Sequence, residues 1–282
     1  MAGNPVNPLD QIARWPVPNA AAAVLSDAGL LATAGDPLRP FPLASVTKPL
    51  TSLATLVAVE EGALELDDPI GDQALAAELP GATLRHLLAH ASGIGPDSRQ
   101  RAAEPGTRRI YSNAGFDLIG EMVSEATEMP FADYLQQAVF APLGMSTAVL
   151  GGSPASQGVA SINDLIAVVS ELLAPTGFLH PSTLNAARTV QFADLPGVLP
   201  GYGAQQHNDW GLGFEIRADK SPHWTSSRNS PATYGHFGGS GTMMWIDPEA
   251  QLALVALADR DFDEWAIKAW PVLSEAVLAA YA

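Results

Sequence analysis

Short unbroken apolar runs lie near both ends of the chain, and between them apolar residues recur every three or four positions over a long middle stretch. Near the start, Ala20 to Leu25 and Leu30 to Ala34 flank Ser26-Asp27-Ala28-Gly29, a turn signal that predicts a β-hairpin. Past the prolines at 37, 40 and 42, the stretch Ser45 to Glu61 aligns Leu50, Leu53, Leu56 and Val57 on one face, predicting a buried helix. Pro49 fits its first turn and Gly62 ends it. Helical spacing returns over Thr83 to Ala91, Gly115 to Thr127, Phe131 to Val139 and Ser161 to Leu173. From Trp210 the runs Gly211 to Ile216, Gly241 to Ile246 and Leu252 to Ala258 read as strands, and Asp261 to Ala282 reads as a last helix, started or kinked near Pro271.

This order predicts an α+β fold. An antiparallel sheet built from residues 1–62 and 200–282 is flanked by its first and last helices, and residues 63–199 form an inserted, mostly helical lobe with a cleft between the two. Composition narrows the function. With 14 Lys and Arg against 30 Asp and Glu, the formal charge is −16, which repels nucleic acid and anionic membrane surfaces. The absence of cysteine removes thiolate chemistry, and no apolar run is long enough to span a bilayer. Met1 to Pro18 carries scattered polar residues and four prolines in place of the basic and apolar segments of a secretory signal, so a cytoplasmic location is expected.

Three segments carry candidate chemistry. Ser45-Val46-Thr47-Lys48 places a hydroxyl and an amine one turn apart at the head of the predicted buried helix, where they can share a proton and where unpaired N–H groups favour developing negative charge. Lys48 is one of three lysines in the chain, and a buried lysine needs a partner or a task. Tyr111-Ser112-Asn113 follows the turn Glu104-Pro105-Gly106-Thr107 and occupies a loop facing the predicted cleft; taken alone, the tyrosine reads as packing. His236-Phe237-Gly238-Gly239-Ser240-Gly241 precedes the strand Thr242 to Ile246, and its glycines suit either an oxyanion-binding strand or a bulge.

In this order the segments resemble the Ser-x-x-Lys, Tyr/Ser-x-Asn and Lys-Thr-Gly motifs of the serine β-lactamase and penicillin-binding superfamily, with the class C-like esterases and D-aminopeptidases closest in wording. Gly62 to Pro69, Thr83 to Gly93, Pro105-Gly106 and Pro142 to Met145 extend the resemblance over most of the chain. It implies a sheet of five or more antiparallel strands beside a helical lobe. It also implies that Ser45 attacks an ester, amide or β-lactam carbonyl, that Lys48 with Tyr111 moves its proton, and that Asn113 contacts Lys48 or substrate. The N–H groups of Ser45 and Gly239, with Gly238 beside them, would bind the oxyanion. No cofactor or metal is implied.

The chain departs from the family at Lys-Thr-Gly, where it reads His236-Phe237-Gly238, so the ammonium that engages a β-lactam carboxylate is missing. A histidine there can polarise Tyr111 and relay a proton near neutral pH, which favours ester hydrolysis. The alternative is a non-catalytic binding or sensor domain that has kept the cleft. His86 and His90 lack the glutamate of a zinc-protease helix and read as a structural corner, and Arg99, Arg101, Arg108 and Arg109 read as a solvated face. Substrate identity and oligomeric state are not set by these patterns.

Overall fold

The computed structural model describes residues 7–282; the part of the N-terminal reading that falls on residues 1–6 lies outside them. The expected hairpin forms from β1 (Ala20–Ser26) and β2 (Gly29–Ala34). Short strand β3 (Phe41–Pro42) leads to a turn of 3-10 helix at Ala44–Val46 and then α1 (Thr47–Glu60), closed by Gly62 at φ +75°. Next come α2 (Gln73–Glu78), α3 (Leu84–Leu88), α4 (Asn113–Thr127) and α5 (Phe131–Leu135), the last continued by a π-helical turn over Gln136–Phe140. Strands β4 (Val149–Leu150) and β5 (Gly158–Ala160) precede α6 (Ile162–Leu173), which starts on a capping box between Ser161 and Asp164. The chain ends with α7 (Pro181–Ala187), β6 (Gly197–Leu199), β7 (Gly203–Gln205), β8 (Glu215–Ile216), β9 (Tyr234–Gly238), β10 (Thr242–Asp247), β11 (Leu252–Ala258) and α8 (Glu264–Tyr281).

The main sheet is antiparallel with strand order β2-β1-β11-β10-β9-β8, one strand more than the minimum of five. Its central strands are apolar at nearly every position because both faces are covered. Ala21, Ala23, Leu25, Met244, Ile246, Val255 and Leu257 join the core shared with α1 and α6. Ala22, Val24, Met243, Trp245, Leu254 and Ala256 face the 3-10 helix Pro8–Arg14 and α8. There Trp245 Nε1 donates to Ser274 Oγ at 3.0 Å, giving the buried indole its partner. Helix α6 packs against β1, β10 and β11 although it lies within residues 63–199, while α1 packs mainly on α4 and the turns beside it.

The structure refines three local readings. For His236–Gly241, whose glycines suit a strand or a bulge, it has a strand: Tyr234–Gly238 forms β9, a full member of the sheet. Its glycines allow close backbone approach: a Cβ on Gly235 would lie 2.1 Å from Met244 O, and one on Gly238 would lie 2.2 Å from Leu43 O. The predicted strand Gly211 to Ile216 shrinks to Glu215–Ile216, because Gly211 N donates to Phe214 O in a tight turn and Gly213 sits at φ +84°. Helix α8 begins at Glu264 on an Asp263 cap and runs through Pro271. Among the described residues no helix is long and apolar enough to cross a membrane.

Candidate active site

The turn carrying Ser45 is fixed from three sides. Ala44 holds φ +45°, an uncommon conformation for a residue with a Cβ, directly before the serine. Thr242 Oγ1 donates to Leu43 O at 2.7 Å and Ser240 Oγ to Pro42 O at 2.6 Å, tying the turn to the β9–β10 hairpin. On the other side Leu43 N donates to Gly158 O at 2.8 Å, and Gly158 N donates to Thr47 Oγ1 at 2.9 Å. Ser45 therefore stands between the sheet and the segment 153–158.

Lys48, one turn on, is fully buried. Its Nζ lies 3.3 Å from Ser45 Oγ, 2.7 Å from Asn113 Oδ1 and 2.9 Å from Ala155 O, and 4.5 Å from the centre of the Tyr111 ring. Asn113 Nδ2 donates to Asp97 Oδ1 at 2.8 Å, which turns the amide oxygen toward the lysine. Ala155 is placed in turn: its N–H donates to Ser153 Oγ at 3.1 Å, and Thr51 Oγ1 donates to Pro154 O at 2.7 Å. Burial lowers the Lys48 pKa to about 7, against the opposing pull of Asp117 and Asp97.

Tyr111 sits on the loop before α4, whose first turn is capped by Ser112 Oγ. Burial pushes its phenol well above the usual range, with the neighbouring Ser45 side chain opposing that rise. Its ring packs on His90 at 4.6 Å, Trp210 at 5.9 Å and His236 at 5.8 Å between centroids. His236, expected to polarise Tyr111 and relay a proton near neutral pH, is held in its neutral form there: burial lowers its pKa to about 3. Its Nδ1 lies 2.7 Å from the carbonyl of Phe237, which can only accept, so Nδ1 bears the single proton. Among the described residues Nε2 is buried without a partner, so His236 is a neutral ring and not a relay poised at pH 7.

Gly238 packs so closely that an added Cβ would lie 3.2 Å from Ser45 N, whereas a Cβ on Gly239 would meet nothing within 4 Å. Gly238 O accepts from Gly241 N at 3.1 Å, so the Gly239 N–H on the same trans peptide points the opposite way. Ser45, Tyr111, His236 and Gly239 line one cavity of about 210 Å³, whose remaining wall includes Leu199, Trp210, Glu215, Phe237 and Phe262.

The expected solvated arginine face is corrected at Arg109. Its side chain is buried and donates to Asn208 O at 3.0 Å, Ala89 O at 2.8 Å, Phe192 O at 2.8 Å and Gln191 O. It ties the loop before Tyr111 to its surroundings, and burial lowers its pKa to about 10. His90 accepts from Ser112 N at 3.1 Å, and His86 stacks on Phe192 with centroids 4.1 Å apart, so the two belong to separate packing contacts. Sequence reasoning missed Trp210, Glu215, Phe262 and the Ala155 carbonyl. A backbone carbonyl leaves no residue signature, and Glu215 stands alone in an apolar run.

Against this geometry, a family model described as beta-lactamase matches residues 12–277. The chain belongs to the beta-lactamase family. A beta-lactamase from Mycobacterium bovis is 51% identical, with TM-score 0.93 over 98% of this chain and 99% of that one. Simvastatin synthase from Aspergillus terreus, at 19% identity, shares the fold with TM-score 0.81 over 98% of this chain and 99% of its own. Esterase EstB from Burkholderia gladioli is 32% identical over 155 residues, 40% of this chain and 39% of that protein. The chain aligns with between 29% and 46% of the length of the first curated relatives it matches. The relatives it matches include an esterase and a carboxypeptidase/endopeptidase.

Proposed function

We propose that the protein is a serine hydrolase that forms an acyl-enzyme on Ser45, with esters as its substrates. The observation that carries this reading is the lysine geometry. A neutral amine has two hydrogens and a lone pair; Asn113 Oδ1 and Ala155 O are acceptors and take the hydrogens, leaving the lone pair for the Ser45 hydroxyl at 3.3 Å. With a pKa near 7, an appreciable fraction of Lys48 is neutral at physiological pH.

Ser45 Oγ adds to the substrate carbonyl carbon while its proton passes to Lys48 Nζ. The carbonyl electron pair moves to oxygen, where the N–H groups of Ser45 and Gly239 receive it; one such donor is worth about 3 kcal/mol in other hydrolases. Collapse breaks the bond to the leaving oxygen, which takes the Tyr111 phenol proton, and Lys48 returns a proton to Tyr111. The raised phenol pKa suits this role, because Tyr111 holds its proton until a strongly basic oxygen needs it. Water then attacks the acyl-enzyme, with Lys48 accepting its proton and Ser45 regaining a hydrogen.

The likeness to esterase EstB supports the ester preference, as does the absence of the Lys-Thr-Gly ammonium at His236. Turnover of p-nitrophenyl butyrate by the wild type and its loss in Ser45→Ala tests the reading. An unchanged rate in Ser45→Ala defeats it, and absence of turnover in both favours the binding-domain alternative.

A further inference from the structure

The cavity beside Ser45 has an unusual charge pattern. Of its eleven lining residues, only Glu215 is ionised at neutral pH. That carboxylate is buried and already engaged: Lys220 Nζ lies 3.0 Å away, His223 Nε2 lies 2.9 Å away, and Trp224 Nε1 donates to it. Lys220 does not line the cavity, and its remaining hydrogens go to Asp209 O and Ile216 O. The positive charge closest to Glu215 is therefore used behind the wall, and the lining holds no lysine or arginine to answer an anion.

The other polar groups agree. His236 has its one N–H fixed on Phe237 O and offers the remainder of the site only a lone pair. Lys48 directs two of its hydrogens to Asn113 and Ala155. The rest of the wall is apolar: Leu199, Pro200, Trp210, Phe237 and Phe262. A carboxylate entering this space loses its hydration and finds no cation in the lining: beyond the two oxyanion N–H groups, which the reacting carbonyl requires, the donors are the neutral hydroxyls of Ser45 and Tyr111 and the Trp210 indole N–H. The overall charge of −16 adds to the repulsion.

We infer that the cavity selects the part of an ester substrate that is uncharged and apolar, and rejects one bearing a carboxylate. This rests on the reading of the protein as a Ser45 hydrolase, and it makes Phe237, Trp210 and the Glu215–Lys220 wall specificity-determining.

Two matched series test it, since either end of an ester can occupy the cavity. In one, p-nitrophenyl hexanoate is compared with mono-p-nitrophenyl adipate. In the other, phenyl acetate is compared with its 4-carboxy derivative. In at least one series, kcat/KM for the carboxylate member is expected to fall at least tenfold below the neutral one, after correction for uncatalysed hydrolysis. A smaller fall in both series, or a preference for the carboxylate, overturns the inference while leaving the hydrolase reading intact. Loss of all turnover instead defeats the hydrolase reading, and the Kd values of hexanamide and adipamate then decide the inference by the same criterion. His236→Lys, which introduces an ammonium in the lining, is expected to raise the adipate-to-hexanoate ratio; an unchanged ratio in a folded variant counts against it.

Discussion

Lys48 Nζ and Ser45 Oγ stand 3.3 Å apart, with the amine in a fully buried site whose other two acceptors are an amide oxygen and a backbone carbonyl. The pair is a single proton-sharing unit whose state is set by pH. Because burial lowers the lysine pKa to about 7, the neutral, proton-accepting form grows as pH rises through that value. The kcat/KM for a neutral ester is expected to climb between about pH 6 and 8 with one inflection near 7. The same inflection is expected in His236→Gln, because the histidine titrates near 3. Disappearance of the inflection in that variant would assign it to the histidine.

Keeping Lys48 in place should weaken the fold at neutral pH. Its folded pKa lies below the unfolded value, so the unfolded chain binds more protons between about pH 7 and 10.5, and stability from this group rises with pH across that window. Lys48→Met removes a buried amine at similar volume. Thermal melts at pH 7 should show an unchanged or higher Tm, together with a loss of esterase activity of a hundredfold or more. A large drop in Tm contradicts this account of the site.

Adjacent glycines should respond oppositely to one methyl group. Gly238→Ala places a Cβ 2.2 Å from Leu43 O and 2.4 Å from Thr242 Oγ1, the contacts that hold the Ser45 turn, so activity should fall by at least a hundredfold with a reduced Tm. Gly239→Ala meets nothing within 4 Å and should leave Tm within about 2 °C. Equal effects on the melts would show that the hairpin can shift to accommodate both.

Glu215 should be a structural keystone of the cavity wall. Its neighbours Lys220 and His223 hold its carboxyl well below the usual range despite burial, so its stabilising contribution is present above about pH 4.5 and is lost as pH falls through the folded value. Glu215→Gln leaves the Lys220 ammonium buried and unpaired and should cost about 3–5 kcal/mol. Urea melts of Glu215→Gln/Lys220→Met should recover much of that loss. No recovery means that the damage comes from lost hydrogen bonds to His223 and Trp224.

The strongest periodicities carried the fold: β1, β2, β11, α1, α4 and α6 follow from unbroken apolar runs or from three-and-four spacing. Strand β9 is legible only as one of two readings, strand or bulge, because Gly235 and Gly238 are poor strand formers that serve close backbone contact, with Met244 O and Leu43 O where a Cβ would sit. In the site, Ser45, Lys48, Tyr111 and Asn113 were legible as motifs, and the structure brings them together. The charge state of His236 was not, because it depends on burial and on a bond to its neighbour's carbonyl. Arg109 looked like part of a basic surface because local sequence carries no record of the four distant carbonyls that receive its guanidinium.

The central claim is that one particular hydroxyl is nucleophilic. Intact-mass measurement after incubation with an alkyl fluorophosphonate addresses it directly: wild type should gain the mass of one phosphonyl group, and Ser45→Ala should gain none. A wild type that stays unlabelled, or a Ser45→Ala protein that labels equally, contradicts the account.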